Sequence, residues 1–135
     1  MLKLNNKKYS KVSYQISFGE YKVKQNGKER TGKSPRIIFM LDDFNLMLEF
    51  IYDKEWIKEL KINDKKDISS YLTDITYNDS KGWISLIYGK YQCFLERIDN
   101  SNYLLDFWCN TIDGEEEFNI MLNETINFTI ELEKR

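Results

Sequence analysis

The stretch Trp83–Asn110 reads WISLIYGKYQCFLERIDNSNYLLDFWCN and decides the fold of this chain. It contains three short apolar runs, rich in Ile, Leu and aromatic residues, with turn signals between them. Such a composition over so few residues is typical of strands rather than helices. The stretch therefore predicts three consecutive antiparallel strands, at Trp83–Tyr88, Tyr91–Ile98 and Tyr103–Asn110.

The residues between these runs predict the turns that join the strands. Gly89-Lys90 favours a two-residue type II′ turn, because Gly adopts a positive φ without strain. A three-residue loop at Asn100–Asn102 favours a register in which Cys93 faces Cys109 across the second hairpin. A register one residue away would mix apolar and polar side chains on each face.

This register divides the second hairpin into two faces of different character. The better core face consists of Cys93, Leu95, Leu105, Phe107 and Cys109. The other face is half-polar and carries Gln92, Glu96, Asp106 and Asn110 beside Phe94 and Trp108. Because the predicted register sets Glu96 opposite Asp106 there, a pair of carboxylates that shares one proton is one catalytic hypothesis.

The remaining sequence predicts more strands of the same kind. Strands are predicted at Val12–Val23 with a bend at Gly19, and at Arg36–Asp42, Leu46–Tyr52, Trp56–Ile62, Phe118–Leu122 and Ile126–Leu132. Lys24–Pro35 is interpreted as a polar loop, and the spacing at 68–75 allows one short helix. The fold class is therefore all-β: an antiparallel meander of about nine or ten short strands forming a sandwich or barrel. We expect a single domain over 1–135, with 1–10 as a loose arm or a short edge strand.

Composition limits the partners that this chain would bind. Charged residues make up 31% of the 135 residues, yet the net charge is only −2. This balance argues against nucleic acid or an anionic membrane as a partner of the whole molecule. No apolar run approaches the ~20 residues of a spanning helix, and Met1–Lys8 lacks the apolar core of a signal peptide. We expect a cytoplasmic protein with buried thiols at Cys93 and Cys109, and leave its oligomeric state open.

The chain contains no His, and this absence narrows the chemistry available to it. His is the commonest general base and the commonest metal ligand. A nucleophile activated by His is excluded, and a zinc ion would find only two thiols. We therefore expect no enzyme, no catalytic residue, no metal site and no cofactor.

One segment matches a nucleotide-binding motif by its letters. Gly27–Ser34 reads GKERTGKS and fits G-x-x-x-x-G-K-[ST]. That motif requires a helix directly after the loop, whose N-terminal amides hold the phosphates. Pro35 and a strand-like run follow instead, so we interpret the match as accidental.

The same region is the one candidate binding loop that the sequence offers. Its basic residues are Lys22, Lys24, Lys28, Arg30, Lys33 and Arg36. They could contact phosphates, and Tyr14, Phe18 and Tyr21 could stack on bases. The simpler interpretation is a solvated loop with ordinary surface lysines. The acidic counterpart, Asp113 with Glu115–Glu117, lacks the spacing of a calcium loop and is also interpreted as solvated.

Aromatic residues supply the best positive indication of function. They make up 15% of the chain, and a small β-domain so rich in them leaves some on its surface as anchors for a partner. The leading hypothesis is a non-catalytic cytosolic binding protein that acts through a protein–protein interface. An immunity-type inhibitor or a phage-type accessory protein would be examples; the excess of Lys over Arg is typical of AT-rich bacteria and their phages.

Two alternatives remain. A β-barrel could bind an apolar small molecule, in which case an interior cavity lined by Tyr and Phe is expected. A weak nucleic-acid binder could use the basic 22–36 loop. A filled core with an exposed aromatic face would instead favour the protein interface.

Overall fold

A computed structural model of the chain describes residues 1–51 and 60–127, without the side chains of 18–23, 25 and 30–33. The described strands are β1 (Leu2–Leu4), β2 (Lys7–Tyr9), β3 (Ser13–Gln25), β4 (Lys28–Met40), β5 (Asn45–Phe50), β6 (Lys65–Asp67), β7 (Leu72–Asp79), β8 (Gly82–Ser85), β9 (Lys90–Arg97), β10 (Asn102–Asp113) and β11 (Glu116–Asn127). The helical content of these residues is one 3-10 turn, Ser69–Tyr71, which ends where Leu72 begins β7.

The strands form two antiparallel sheets. The six-stranded sheet has the order β2-β1-β11-β10-β9-β6, and the five-stranded sheet has the order β3-β4-β5-β7-β8. The inward side chains of both sheets share one apolar core, in which Phe39 and Phe50 of one sheet and Phe107 of the other are almost fully buried. The all-β antiparallel prediction is confirmed, in its sandwich form.

The predicted core face of the β9–β10 hairpin is confirmed. Its residues are each at most 1% exposed: Cys93, Leu95, Leu105, Phe107 and Cys109. The predicted register is wrong by two residues, because Cys93 pairs with Phe107 and Cys109 pairs with Tyr91. A shift of two residues preserves the alternation of side chains, so the face assignment survives the error.

The β9–β10 loop explains the shift in register. Asp99 accepts hydrogen bonds from the backbone N–H of Ser101 at 3.0 Å and of Asn102 at 2.9 Å. The backbone N–H of Ile98 donates to the carbonyl of Asn102 at 2.9 Å and closes the loop. Asp99 is therefore the first loop residue, as is common for Asp in turns, and the three-residue loop lies one position earlier than predicted.

The predicted type II′ turn at Gly89-Lys90 is also wrong. β8 belongs to the five-stranded sheet and β9 to the six-stranded sheet, so the chain crosses between sheets here. A Cβ at Gly89 would lie 2.9 Å from Thr111 Cα and closer still to Thr111 Oγ1 and the Asn110 carbonyl. Gly89 is required by this close approach rather than by a turn.

β3 and β4 form one long hairpin, where the sequence predicted a bend and a polar loop. The pairing runs without a shift from Ser13 opposite Met40 to Gln25 opposite Lys28, so neither prediction holds. Asn26 has φ 54° and Gly27 has φ 74°, as a type I′ turn requires. Asn-Gly is the strongest short hairpin signal in a sequence, and it accounts for the difference.

The ends of the chain extend the six-stranded sheet. Residues 2–9 form β1 and β2, with Leu2 fully buried, so the edge-strand alternative holds rather than the loose arm. The sequence predicted two strands, at Phe118–Leu122 and Ile126–Leu132. The structure has one continuous strand there, β11, which is described as far as Asn127. The predictions for Tyr52, most of Trp56–Ile62 and 128–132 lie outside the described residues.

Candidate interaction surface

The outward side of the six-stranded sheet is the surface with the most distinctive composition. We call it the outer face, and define it by the outward positions of β9, β10 and β11. These are Lys90, Gln92, Phe94 and Glu96; Asn102, Leu104, Asp106, Trp108, Asn110 and Ile112; and Glu117, Asn119, Met121, Asn123, Thr125 and Asn127. Each alternates with a core residue of its strand, so sheet packing fixes its position.

Trp108 and Met121 form the centre of the outer face. They lie directly opposite each other on β10 and β11, where Met121 is 48% exposed and Trp108 is half-buried. Phe94 and Leu104 flank them and are also half-buried. At one end of the face Ile112 is 70% exposed.

Charged residues are depleted along the two central strands. Of the outward positions on β10 and β11, only Asp106 and Glu117 are charged, and most of the others are amides or apolar residues. The whole chain is 31% charged, so this surface departs from the average. Few charges together with aromatic residues and Met are the composition of protein interface cores.

Both central charges already have local partners. Asp106 Oδ2 lies 3.9 Å from Lys65 Nζ, and Glu117 Oε1 accepts a hydrogen bond of 3.0 Å from Asn110 Nδ2. One buried acceptor of the face, Asn119 Oδ1, has no hydrogen-bond donor within the described structure.

The predicted pair of carboxylates does not form. Register places Phe94 opposite Asp106 and Leu104 opposite Glu96, so the two acids are not directly opposed. Lys65 stands opposite Glu96 on the next strand, with its ammonium 5.0 Å above the Phe94 ring. A shared proton needs two carboxylates in contact, and here a cation lies beside them.

Charged residues occupy both margins of the outer face, with lysines at one margin and Lys65 beside Asp67 at the other. Lys3 and Lys8 are register partners on β1 and β2, at one edge of the sheet. Asp67 lies on β6 at the other edge, opposite Phe94. The surface is therefore apolar and amide-rich at its centre and charged at its rim, as protein interfaces are.

The predicted basic loop is a two-stranded ribbon, and its register separates the basic residues. Alternate positions along β3 and β4 form two sets. One set holds Lys22, Lys24 and Lys33, and the other holds Lys28, Arg30 and Arg36. Two of them stand directly opposite acids, since Lys24 pairs with Glu29 and Lys33 with Glu20. Lys24 and Lys28 are exposed, whereas Arg36 forms an ion pair with Glu49.

Other candidate residues do not join this ribbon. Tyr14 packs against Phe39 with ring centroids 6.4 Å apart. Lys7 belongs to the other sheet and pairs with Asp43 at 2.8 Å, which holds the pKa of that carboxyl below its ordinary value. Gly27–Ser34 is a turn and a strand, and not the loop before a helix that phosphate binding requires.

The acidic segment surrounds the β10–β11 turn. Asp113 pairs with Glu116, and Gly114 between them has φ 62°. Glu115 and Glu116 are exposed to solvent. Within 1–51 and 60–127, no group of three or more Cys, Asp and Glu side chains is arranged to hold a metal ion.

Cys93 and Cys109 are free thiols with no exposed surface. Burial raises the pKa of the Cys93 thiol far above its ordinary value, and raises that of Cys109 to about 12. Both thiols therefore stay protonated, and neither is a nucleophile at neutral pH.

Sequence reasoning missed the β11 half of the outer face. Met121 is the signal that would have found it. It is an apolar residue at an outward position of β11, between the inward residues Ile120 and Leu122. An exposed Met beside a half-buried Trp marks a candidate contact surface.

In comparisons with protein-family models, curated proteins and solved structures, nothing matches this chain. The described residues include no helix with the length and apolar character needed to cross a lipid bilayer.

Proposed function

We propose that this protein is a non-catalytic binding protein that contacts another protein through the outer face. The observation that carries the proposal is the charge-depleted centre of that face, where Trp108 and Met121 stand side by side. Trp is the residue most enriched among the energetic anchors of interfaces, and Met adapts its shape to a partner.

The rigidity of the surface also supports binding. β10 and β11 pair along twelve positions, from Asn102 opposite Asn127 to Asp113 opposite Glu116. The inward side chains of both strands are anchored in the core, so the backbone that carries the outward side chains is held in place. A preorganised surface loses little conformational entropy on association, which leaves more of the contact energy for affinity.

The two alternative functions gain less support. The buried Leu, Ile and Phe side chains of both sheets form one packed cluster, which supports an interface rather than a barrel that encloses a ligand. On the ribbon, register places Glu20 and Glu29 opposite two of the six basic residues, and the six occupy both sets of alternating positions along β3 and β4. A phosphate backbone is bound by cations that converge on one surface.

Affinity capture with three baits tests the proposal: the natural chain, Met121→Glu and Trp83→Glu. Trp83 is the matched control, because it is 71% exposed but lies on β8 at the edge of the other sheet. We expect the natural chain and Trp83→Glu to recover the same protein from the source cell, and Met121→Glu to lose it. Recovery of a retained small molecule or nucleic acid without any protein would contradict the proposal, as would a partner lost only with Trp83→Glu.

A further inference from the structure

We propose that the protein bound at the outer face is a second copy of this chain, in a dimer with two-fold symmetry. This inference rests on the proposed function of the face, and it adds the identity of the occupant. It follows from the register of β10 and β11, from the positions of the charges and from the area available.

The two-fold axis would run parallel to the strands, between β10 and β11. Such an axis stacks the two outer faces about 10 Å apart, as sheets pack in sandwiches. It also places each outward residue of β10 over a residue of the second copy. That residue is the one on β11 that is its register partner within a single chain. Trp108 of each copy then contacts Met121 of the other, which gives two sulfur–aromatic contacts at the centre.

The neighbouring register pairs are compatible with this arrangement. Asp106 pairs with Asn123, so across the axis a carboxylate meets an amide that can donate to it. Asn110 pairs with Asn119, so amide meets amide, and a rotation of the Asn119 side chain would bring its unpartnered Oδ1 toward a donor. An interface of this kind contacts itself through one surface, as every two-fold interface does.

The positions of the charges are compatible with the same operation. The axis exchanges the β1 and β2 margin of one copy with the β9 and β6 margin of the other. Lys3, in the row of Trp108, lies over Gln92 of the second copy, one outward position from Lys90, and Lys8 lies one outward position from Asp67. No outward charge of the described strands lies directly over a like charge, since Asp106 lies over Asn123 and Glu117 over Ile112, and a two-fold dimer therefore has no direct repulsion to overcome.

The area indicates a weak dimer. Four central strands at about 4.8 Å spacing and about 30 Å of strand length cover roughly 600 Å² per copy. A total of about 1,200 Å² is at the lower end of specific interfaces, so we expect dissociation in the micromolar range.

Sedimentation velocity over about 1 µM to about 1 mM measures this equilibrium directly. We expect a monomer–dimer equilibrium that Met121→Glu weakens at least about tenfold. Trp83→Glu should change it by less than about twofold, because Trp83 lies on the other sheet.

A pair of opposite substitutions at Asn123 tests the register itself. Asn123→Asp would set a carboxylate against Asp106 of the other copy at two symmetric contacts, and should weaken the dimer about three- to tenfold. Asn123→Lys would create two ion pairs across the axis, and should strengthen it by a similar factor. Asn123 also stands opposite Asp106 within one chain, so the free energy of unfolding of each variant is measured beside its dimerisation. Opposite shifts of the monomer–dimer equilibrium between variants that remain folded are specific to the dimer.

A chain that remains monomeric over the whole range, or two Asn123 variants that shift together, would overturn the dimer. Failure of the dimer is distinguishable from failure of the proposed function. If a different protein is captured through the outer face while the chain is monomeric, only the identity of the occupant is wrong.

Discussion

Cys93 and Cys109 show how strongly a single position can be determined by alternation along a strand. Both were predicted as packed thiols, and both are fully buried on the core side of the hairpin. Their predicted direct opposition failed, because it depended on where Asp99 places the loop. Whether a side chain is buried depends only on whether its position in the strand faces inward or outward. Which residue it stands opposite depends on where the loop begins.

Neither native thiol should react with a thiol-specific reagent in the folded protein. Met121→Cys supplies the matched control, because position 121 is 48% exposed, and it should label rapidly under the same conditions. Cys93→Ser should lower the free energy of unfolding by about 1–3 kcal/mol, because a buried hydroxyl would lack a partner. Rapid labelling of the natural chain would show that the face assignment is wrong.

The raised pKa of Cys109 also predicts an effect of alkaline pH. In the folded state the thiol keeps its proton to about pH 12, whereas an unfolded thiol releases it near its ordinary value of 9.0. Because the folded state binds more protons in this interval, the free energy of unfolding should fall as pH rises from 9 toward 12. The fall should be smaller in Cys109→Ala, as urea denaturation at each pH would show.

Among the elements, the crossing between sheets at 86–89 is the one that local patterns predicted least well. Gly followed by a polar residue between two apolar runs resembles a hairpin turn in the sequence. Gly89 is instead required because Thr111, which is distant in sequence, lies close against it. The Thr111 hydroxyl donates a hydrogen bond of 2.8 Å to the Leu86 carbonyl. A contact between distant segments leaves no trace in local periodicity.

Gly89→Ala should therefore destabilise the protein far more than an ordinary turn substitution. The new Cβ would collide with the backbone of Asn110 and Thr111, so we expect a loss of more than about 3 kcal/mol. Gly114→Ala is the comparison, because it has φ 62° and open space around it, and should cost about 1 kcal/mol. Equal losses in thermal or urea unfolding would indicate that position 89 is an ordinary turn.

At the scale of the whole molecule, the fold class was predictable from the sequence because alternation, turn residues and strand length agree over most of the chain. The outer face was half predictable. Phe94 and Trp108 were recognised on a half-polar face, but Met121 was not, since its strand could be placed beside β10 only once the sheet order was known. The basic residues 22–36 were grouped by nearness in sequence, and a strand register separates such groups.

The central claim is that the outer face contacts another protein, and site-specific photocrosslinking inside the source cell tests it most directly. A benzophenone amino acid would replace Met121 in one variant and Trp83 in a second, both exposed positions but on different sheets. We predict that irradiation yields a discrete protein adduct from position 121 and none from position 83. An adduct from position 83 alone, or no protein adduct at 121 while the variant remains folded, would contradict the account.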